Sequence, residues 1–426
     1  MTVSSVASSV VVVGGGIAGV STVAELRKHG YTGELTLVSA DPIPYDRPPL
    51  SKDYLLGAKG LESISLQAPE WYAEQRVDLI TDALVVALDP AAGTVELSDG
   101  RELSADRIVL ATGGHSRWPD LERVVRELLD RPSAGRDIPR STTGIHTLRS
   151  DDDADALRHV LLPRARLLVV GAGLIGAEVA STARKLECEV VLVDPADPPI
   201  APAVGVQVAT WLHSLHAVHG VETVTATVEK LESTSAGVVA HIAGEAEPRT
   251  FDAVLLAVGM VPDAAVAKAA GLEVDNGVLV DDRQVTSHPN VLAVGDCARR
   301  RGHRRAEHWE AALHDGQRAA ATILGVEAGA ETAPWFWTDR YDLHVEVVGE
   351  MHEPDSEHES VVRGTLGEPP FSVFILRGER VIGAVAVDDP ATAKAARRLI
   401  DRGVDVRASA LADPTTDLRK LLRAAR

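Results

Sequence analysis

Cysteine is scarce in this sequence, since only Cys188 and Cys297 occur among 426 residues. The two are far apart and each adjoins a predicted strand, so we expect two small buried thiols and no disulfide framework. Long apolar runs are also missing, because none approaches the roughly 18 residues of a membrane span. Residues 1–9 lack the basic residues and the long apolar core of a signal peptide. We therefore expect a cytoplasmic protein that does not bind a membrane.

Positive charge is in deficit as well. The chain has 43 Lys and Arg against 62 Asp and Glu, which gives a formal net charge of −19. A nucleic-acid-binding surface needs clustered positive charge, so this balance argues against nucleic acid as a partner. With 45% apolar and 25% charged residues, the composition favours a globular chain of two or three domains. No metal site is predicted.

The most informative stretch begins with four valines at positions 10–13, which run directly into the glycine motif GGGIAG at 14–19 and a helical pattern at 20–29. Four valines suit a strand that is buried on both faces. Gly14 permits a tight turn, Gly16 lets a pyrophosphate approach the backbone, and Gly19 lets the helix pack against the strand. The phosphates would bind the free N–H groups of that helix. A single motif of this kind also occurs in ordinary strand-to-helix turns.

A second copy strengthens the interpretation. Residues 167–178, LLVVGAGLIGAE, repeat the strand, the three glycines and the helix start, so the chain has sites for two dinucleotides. The next predicted strand, 189–193, ends at Asp194, which lies 23 positions after Gly171. That interval is typical of an acid that binds a ribose 2′-hydroxyl. Residues 195–199 offer no cation for a 2′-phosphate, so we predict that this site prefers NADH.

The first glycine motif is followed by a second predicted strand, 34–39, and then by Asp41, the nearest acid able to reach a ribose hydroxyl. The segment 44–52, PYDRPPLSK, uses its prolines to hold Arg47 and Lys52 in a stiff turn that opens a short helix. A stiff turn with two cations suits a phosphate-bearing ligand. The alternative is a solvated turn with proline at a helix start.

Further strands are predicted along the chain. One of them, a short apolar strand before Gly295, is followed by Asp296 in a glycine turn, a position from which the carboxylate could contact a ligand hydroxyl. The predicted strands are 78–88, 94–97, 107–114, 221–228, 238–242, 251–259, a short apolar strand within 286–296, 343–348, 372–376 and 381–387. SDGR at 98–101 is predicted as a hairpin turn, and 118–143 as a surface excursion with helical periodicity at 121–129. From about residue 334 the alternating strands and the helices that follow indicate a separate α+β domain.

With these residues in view, the chain resembles the FAD-dependent, NADH-utilising ferredoxin reductases that serve Rieske-type aromatic-ring dioxygenases and some bacterial cytochromes P450. The similarity extends nearly from end to end. Its more specific marks are 44–52, ATG at 111–113 with Arg117, Gly295-Asp296, PWFW at 334–337 and LADPTTDLRK at 411–420. The chain departs from the family at the long excursion 118–143, at Leu292 where an aromatic is usual, and at Arg340 where Gln is frequent. We expect Arg340 to alter flavin shielding or partner docking.

The resemblance implies an α/β fold with two Rossmann-like dinucleotide-binding domains, in which an FAD domain is split by an inserted NAD domain, and a C-terminal α+β domain that covers the flavin. The implied boundaries are 1–142 with 258–327 for FAD, 143–257 for NAD, and 328–426 for the C-terminal domain. FAD and NAD are the implied cofactors.

The resemblance also implies roles for individual residues. Lys52 and Glu178 would orient the flavin ring and the nicotinamide, Trp337 would lie near the isoalloxazine, and Trp309 would supply backbone near the ring. For the tryptophan pair of this motif, ordinary core packing is the alternative. The implied FAD contacts are Gly14, Gly16, Ile17, Ala18, Gly19, Asp41, Arg47, Lys52, Arg117, Asp296 and Trp309. The implied NAD contacts are Gly171, Gly173, Leu174, Ile175, Gly176, Glu178, Asp194 and Gly259.

The wider flavoprotein fold includes disulfide and peroxide reductases, which need reactive cysteines in the segment after the first βα unit. Residues 41–52 contain none, so the flavin must pass electrons onward directly, and we predict a reductase without a redox-active disulfide. The leading hypothesis is electron transfer from NADH through FAD to a [2Fe–2S] ferredoxin that feeds an oxygenase of aromatic hydrocarbon catabolism. The alternatives are an NADH oxidase or apoptosis-inducing-factor-like flavoprotein, and a nucleotide-binding module that has lost its flavin.

Ferredoxins are usually acidic, so a reductase with this net charge needs local positive charge to bind one. Two stretches could supply it, and the first is predicted to rim the ferredoxin surface because it follows Asp296. It comprises Arg299, Arg300, Arg301, Arg304 and Arg305. The second is 391–426, which has nine Lys or Arg against four Asp. The alternative is that these arginines pair with carboxylates of the chain itself.

Overall fold

The computed structural model describes residues 7–119, 144–352, 355 and 357–424. The chain forms two compact units. The first comprises Met1–Pro49, Lys59–His115 and Met260–Ala330, and the second comprises Leu50–Ala58, Ser116–Gly259 and Glu331–Arg426. The insertion of an NAD domain into a split FAD domain stays a prediction. The second unit contains both the predicted NAD domain and the predicted C-terminal domain, and the boundary between those two stays a prediction. The helix expected at 121–129 lies outside the described residues.

The first unit is built on a five-stranded parallel sheet. In spatial order its strands are Val291–Ala293, Arg107–Leu110, Ser9–Val13, Glu34–Val38 and Asp78–Ile80. Val10 and Val12 pack into one apolar cluster of this unit, and Val11 and Val13 into another. Alternate residues of a strand point to opposite faces, so the valine run is buried on both sides, as its composition predicts.

Smaller elements complete the first unit. An antiparallel meander consists of Val85–Asp89, Thr94–Leu97 and Glu102–Ser104, and Val278–Val280 pairs with Ala298–Arg300. The α-helices are Ile17–Lys28, Pro69–Glu74, Ala265–Ala269 and Trp309–Leu324. Short 3₁₀ turns occur at Pro48–Ser51, Leu61–Ile64 and Gly295–Cys297. The last two residues of the first of these turns belong to the second unit. Two paired strands are Gly114–Ser116, whose last residue belongs to the second unit, and Met260–Pro262.

The strand predicted at 78–88 is wrong as a single element. Asp78–Ile80 belongs to the parallel sheet and Val85–Asp89 to the meander. Asp82, between them, has a φ of 53°, a left-handed conformation that cannot continue a strand. The strand predicted at 221–228 is divided in the same way, because Glu222–Thr225 belongs to a parallel sheet and Val228 begins an antiparallel one.

The second unit contains another five-stranded parallel sheet. In spatial order its strands are Glu222–Thr225, Glu189–Asp194, Arg166–Val170, Ala253–Leu256 and Ile145–His146. The antiparallel strands Val228–Thr234, Gly237–Ile242 and Arg249–Phe251 accompany it. The helices of this part are Asp151–Val160, Leu174–Lys185, Ala201–Val204 and Val206–Val218.

The C-terminal part of the second unit is a five-stranded antiparallel sheet with three helices. In spatial order the strands are Trp335–Arg340, Leu343–Gly349, Arg380–Val387, Glu368–Arg377 and His358–Thr365. The helices are Pro390–Arg402, Ala408–Ala412 and Leu418–Ala424. The predicted strands are confirmed, and the first and last in this order were not predicted. Within the described ranges, no helix is long and apolar enough to cross a membrane.

Helix Val206–Val218 packs on this sheet through Val208 and Leu212, which share an apolar cluster with Val347 and Phe371. Next to the cluster, His216 is buried, and its Nδ1 lies 2.6 Å from the hydroxyl oxygen of Tyr341. Burial, helped by the positive charge of Arg340, lowers the pKa of His216 from 6.5 to about 3. The imidazole is therefore neutral in the folded protein at every pH near neutrality.

This burial makes the second unit sensitive to acid. Between pH 6.5 and about 3 the unfolded chain binds a proton at His216 that the folded chain does not. The stability is thus fully present above pH 6.5 and falls as the pH drops, by up to about 1.4 kcal/mol for each pH unit. His216→Gln keeps a hydrogen-bonding group toward Tyr341 but does not titrate. We expect this variant to lose less melting temperature than the wild type between about pH 7.5 and about pH 5.

The exposed His159 provides the matched control, because His159→Gln removes a histidine that solvent already reaches. Its melting temperature should follow the wild-type pH dependence. Equal pH dependence for His216→Gln and the wild type would contradict the assignment.

Candidate functional site

The first glycine turn has the geometry that its sequence predicts. Gly14 has a φ of 118°, and a Cβ at this position would overlap the carbonyl oxygen of Ala111. A Cβ at Gly19 would overlap the carbonyl oxygen of Gly14, which fixes how closely helix Ile17–Lys28 approaches the strand. No side chain caps this helix, and its first turn has no acidic residue. The backbone N–H groups at Ile17 and Ala18 are therefore suited to a phosphate.

Arg47 lies beside this turn. Its Nη1 would be 3.1 Å from a Cβ at Gly16, and its Nη2 is 3.4 Å from Oδ2 of Asp41. Its guanidinium also lies over the ring of Tyr45, 5.3 Å from the centroid. The structure thus brings three predicted positions together: the glycine turn, the acid after the second strand and the cation of the proline-rich segment.

Asp296 and Trp309 lie at neighbouring turns of the first unit. Asp296 is in the 3₁₀ turn Gly295–Cys297, and Trp309 is the first residue of the helix that follows. The indole Nε1 of Trp309 donates to Asp46, 2.7 Å away, inside the predicted segment 44–52. The side chain thereby connects this helix start to the proline-rich segment, while the predicted role concerns its backbone.

A supporting residue here escaped the sequence analysis. Asp315 accepts hydrogen bonds from Gly295 N–H at 3.2 Å and from Gln284 Nε2 at 2.7 Å, so it holds the turn that carries Asp296. Burial raises the pKa of Asp315 to about 6, although the positive charge of Arg318 opposes the shift. A helical Asp 19 positions after Asp296 gives no sequence signal of such a contact.

The second glycine turn repeats the first. Gly171 has a φ of 100°, and a Cβ at Gly176 would overlap the carbonyl oxygen of Gly171. Around Gly173 nothing lies within 4 Å of an added Cβ, so the backbone there is open to a ligand. No side chain caps helix Leu174–Lys185, so the N–H groups at Leu174 and Ile175 also suit a phosphate.

Asp194 lies against this turn. Its Oδ2 accepts a hydrogen bond from Ala172 N–H at 2.7 Å, and its Oδ1 accepts one from Ala196 N–H at 2.8 Å. The carboxylate is thus fixed at the glycine turn, where the sequence predicts a ribose. Elsewhere in the second unit, Arg117 N–H donates to the carbonyl oxygen of Gly259 at 2.9 Å, which joins two further predicted positions.

The second unit also contains a cluster of charged side chains around Glu178. This residue lies in helix Leu174–Lys185, only 6% exposed. Its Oε1 is 3.2 Å from Nζ of Lys52, and its Oε2 accepts a hydrogen bond from Ser51 at 2.5 Å. Thr338 donates to Oε1 at 2.7 Å. The buried carboxylate is therefore paired and hydrogen-bonded, as a buried charge must be.

Trp337 is part of the same cluster. Nζ of Lys52 lies 5.4 Å from its ring centroid and 2.8 Å from Oδ2 of Asp339, and the ring stacks on Trp335 at 5.0 Å. Lys52, Glu178 and Trp337, the three predicted catalytic residues, are thus neighbours in the second unit. The sequence did not predict three further residues of this cluster: Ser51, Thr338 and Asp339. Ser51 lies inside the motif 44–52, and the other two directly follow the motif 334–337.

Arg340 is on the opposite face of its strand from Trp337. It is 3% exposed, and its Nη2 donates to Thr338 at 3.3 Å. A buried guanidinium does not lie on a docking surface, so the expectation that Arg340 alters partner docking is not supported. Its position instead adds a positive charge behind the Glu178 cluster, where the two side chains attract each other.

Both cysteines are free and buried, as predicted. Burial raises the pKa of Cys188 to about 11 and also raises that of Cys297. Because the thiolate is the reactive form, both thiols are poor nucleophiles near neutral pH.

Comparison with known proteins identifies the class. The sequence matches the pyridine nucleotide-disulphide oxidoreductase family over residues 8–316 and the reductase C-terminal family over 335–422. The chain therefore belongs to the pyridine nucleotide-disulphide oxidoreductases, in the branch that carries this C-terminal domain.

Particular relatives narrow the class to ferredoxin reductases. The chain is 35% identical to putidaredoxin reductase of Pseudomonas putida, with 98% of this chain and 97% of that protein covered. It is 34% identical to the ferredoxin–NAD(+) reductase subunit of the benzene 1,2-dioxygenase system of Pseudomonas putida, with 98% of each covered. The crystal structure of the covalent putidaredoxin reductase–putidaredoxin complex superposes with a TM-score of 0.86 at 34% identity, over 98% of this chain and 99% of that one.

FAD and NAD(H) are the two dinucleotides that this family implies, and the glycine turns fit them. Each turn excludes a side chain where the backbone must approach closely, and each precedes an uncapped helix. The assignment of single residues to either cofactor stays a prediction.

Asp194 gives the first test of that assignment. Its carboxylate would repel a 2′-phosphate, so we expect the wild type to prefer NADH over NADPH by at least about tenfold in kcat/KM, or ~1.4 kcal/mol. Asp194→Ala combined with Ala196→Arg should narrow this gap. Asp194→Asn is the matched control, because it removes the charge and keeps an acceptor for the turn. Equal efficiency of the wild type with both coenzymes would refute the role.

The cysteines give a second test. Cys188→Ala together with Cys297→Ala should leave the bleaching of bound FAD by NADH largely intact, since neither buried thiol is suited to redox exchange. Stopped-flow absorbance measures this directly. A double variant that retains FAD but is no longer bleached would mean that a thiol takes part.

Proposed function

We propose that this protein transfers electrons from NADH through FAD to a [2Fe–2S] ferredoxin that serves an oxygenase, either a Rieske dioxygenase or a cytochrome P450, in the cytoplasm. The observation that carries the proposal is the cluster of Lys52, Glu178 and Trp337 in a fold whose segment 41–52 has no cysteine. Such a site can orient two rings against each other, and it offers no thiol for disulfide chemistry.

The residues of the chain would bind and align the reactants. Asp194 and the turn Gly171–Gly176 would hold the coenzyme, while Lys52 and Glu178 would orient the nicotinamide and the flavin. When bound, FAD accepts the two electrons of the hydride and passes them singly to a one-electron acceptor. The protein's contribution is positioning, because aligned reactants need no further general acid or base for hydride transfer.

Three measurements on purified protein test this function. Visible absorption bands of an oxidised flavin would exclude a module that has lost its flavin. Bleaching by NADH would establish the first half-reaction. Cytochrome c reduction by NADH that depends on added [2Fe–2S] ferredoxin would establish the second. Rapid oxygen consumption with no ferredoxin dependence would instead identify an NADH oxidase, and a long-lived NADH-reduced state would favour the apoptosis-inducing-factor-like alternative.

The arginine stretch that was predicted to bind ferredoxin is largely paired. Arg299 lies 2.5 Å from Asp275, Arg300 3.2 Å from Asp282, Arg301 2.9 Å from Glu273 and Arg305 2.6 Å from Glu307. The alternative, pairing with carboxylates of the chain, is therefore confirmed for these four. Paired charges attract an acidic partner less at a distance, because the carboxylates offset the local potential.

The second basic stretch, 391–426, contains cations that are exposed and differ from these arginines in their ion pairing. Helix Pro390–Arg402 exposes Lys394, Arg398 and Arg402 along its outer face. Within the described part of the chain, none of the three lies within ion-pair distance of a carboxylate. We therefore place the main electrostatic attraction for ferredoxin on this helix, with Arg299–Arg305 as the weaker candidate.

Two triple charge reversals separate these surfaces. One converts Lys394, Arg398 and Arg402 to Glu, and the other converts Arg300, Arg301 and Arg304 to Glu, with the same change in net charge. At low ionic strength we expect the first to slow ferredoxin reduction by about tenfold or more, the second by less, and the difference to fade with salt. Turnover with ferricyanide should barely change in either. A larger effect of the second variant would return the docking surface to the arginine stretch.

A further inference from the structure

A histidine that the sequence analysis did not single out is joined to the Glu178 cluster. Strands Trp335–Arg340 and Leu343–Gly349 are antiparallel neighbours, and their register places Asp339 opposite His344 and Trp337 opposite Glu346. Residues that lie opposite each other share one face of a sheet. His344 and Glu346 therefore lie on the face that carries Trp337 and Asp339.

Asp339 connects this histidine to Lys52. Nδ1 of His344 is 2.5 Å from Oδ1 of Asp339, and Oδ2 of the same carboxylate is 2.8 Å from Nζ of Lys52. Burial tends to raise the pKa of Asp339, but hydrogen bonds from Lys52 and His344 outweigh it and the pKa is lowered. Asp339 is thus a carboxylate shared between two basic side chains.

Glu346 adds a second carboxylate on the other side of the imidazole. Its Oε1 accepts a hydrogen bond from Nε1 of Trp335 at 3.0 Å. Its Oε2 is buried without a hydrogen-bond partner among the described residues, and it lies 4.0 Å from Nε2 of His344. A buried carboxylate oxygen without a donor is costly, and a cation beside it reduces that cost.

Two further carboxylates of the described residues lie near this group. Oδ1 of Asp388 accepts a hydrogen bond from the backbone N–H of His344 at 2.8 Å, and Glu178 lies beyond Lys52. The His344 side chain is 42% exposed, so solvent can exchange its proton. The imidazole therefore lies between carboxylates, with Lys52 as the other cation of the group.

We propose that His344 is a positioning residue for Lys52, and that its protonated form holds Asp339 so that Lys52 remains shared with Glu178. This inference rests on the proposed function, in which Lys52 and Glu178 align the reactants. With His344 protonated, Asp339 is bound by two cations. When His344 loses its proton, Lys52 is the cation of the described residues that remains to Asp339, and it is drawn toward Asp339 and away from Glu178.

The expected consequence is a pH dependence of flavin reduction. The rate constant for bleaching of the FAD-loaded enzyme by saturating NADH should fall several-fold as the pH rises and His344 loses its proton. In His344→Gln, which can still donate to Asp339 but carries no charge, this step should be absent and the rate should stay near the wild-type value at high pH. His159→Gln, on an exposed helix position, is the control and should keep the wild-type profile.

A second measurement does not depend on turnover. NMR of the holoenzyme with labelled histidine, without NADH, follows the imidazole whose signal disappears in His344→Gln. Asp339→Asn removes the carboxylate that lies 2.5 Å from Nδ1 of His344, and Glu346→Gln removes the one that lies 4.0 Å from Nε2, so the position of this signal should change in both variants and more in Asp339→Asn.

Two results would overturn the proposal: a His344→Gln enzyme that keeps the wild-type pH step, or a His344 signal that stays at its wild-type position in both carboxylate variants. Either can occur in an enzyme that still passes electrons from NADH to ferredoxin. Failure of the proposed function would appear separately, as wild-type protein that holds no flavin or is not bleached by NADH, and the NMR comparison would still decide the role of His344.

Discussion

The buried carboxylate of Glu178 is the interaction on which the second unit's site depends. It brings together three parts of the chain that are distant in sequence: the segment with Ser51 and Lys52, its own helix, and the strand with Thr338 and Asp339. Removing a charge from water is costly unless the charge is paired and hydrogen-bonded, so any arrangement of these segments that strips Glu178 of its partners is disfavoured. Breaking a buried ion pair leaves an uncompensated buried charge. The interaction of Glu178 that specifies how these three segments meet therefore also makes the cluster intolerant of substitution.

The glycine turns work differently, because their constraint is steric. Gly14 and Gly171 adopt positive φ against the carbonyl oxygens of Ala111 and Ala257, and Gly19 and Gly176 leave no room for a Cβ. The glycines themselves are closely spaced, so the motif could be recognised from that spacing, together with the strand before it and Asp194 after it, although the two carbonyls come from distant parts of the chain. The chain thus uses steric constraint to shape two turns that suit a phosphate and long-range electrostatics to assemble the Glu178 cluster.

This difference explains what sequence could predict and what it could not. The α/β fold class, both turns, most strands and both buried cysteines follow from periodicity, glycine spacing and resemblance. The contact of Lys52 with Asp339 joins positions 287 residues apart, and no pattern in the sequence encodes that pairing. Local conformation caused the other errors: a single residue with positive φ, Asp82, divides the predicted strand 78–88, and strand alternation buries Arg340 although its neighbours Trp337 and Asp339 face the cluster.

The surface to which an acidic partner is attracted depends on which surface cations are paired with carboxylates. It does not depend on the net charge of the chain. The chain has a formal net charge of −19, yet an approaching acidic protein responds to the electrostatic potential of the surface that it faces. Arg299, Arg300 and Arg301 form a dense cationic run in the sequence, but each is matched by a carboxylate from 273–282. A run of arginines in a sequence can therefore mark a series of ion pairs within the folded protein as readily as a binding site. The exposed cations of helix Pro390–Arg402 have no carboxylate within ion-pair distance among the residues that the structure describes, so they retain their long-range field. Pairing must therefore be determined before a basic stretch is interpreted as a docking surface.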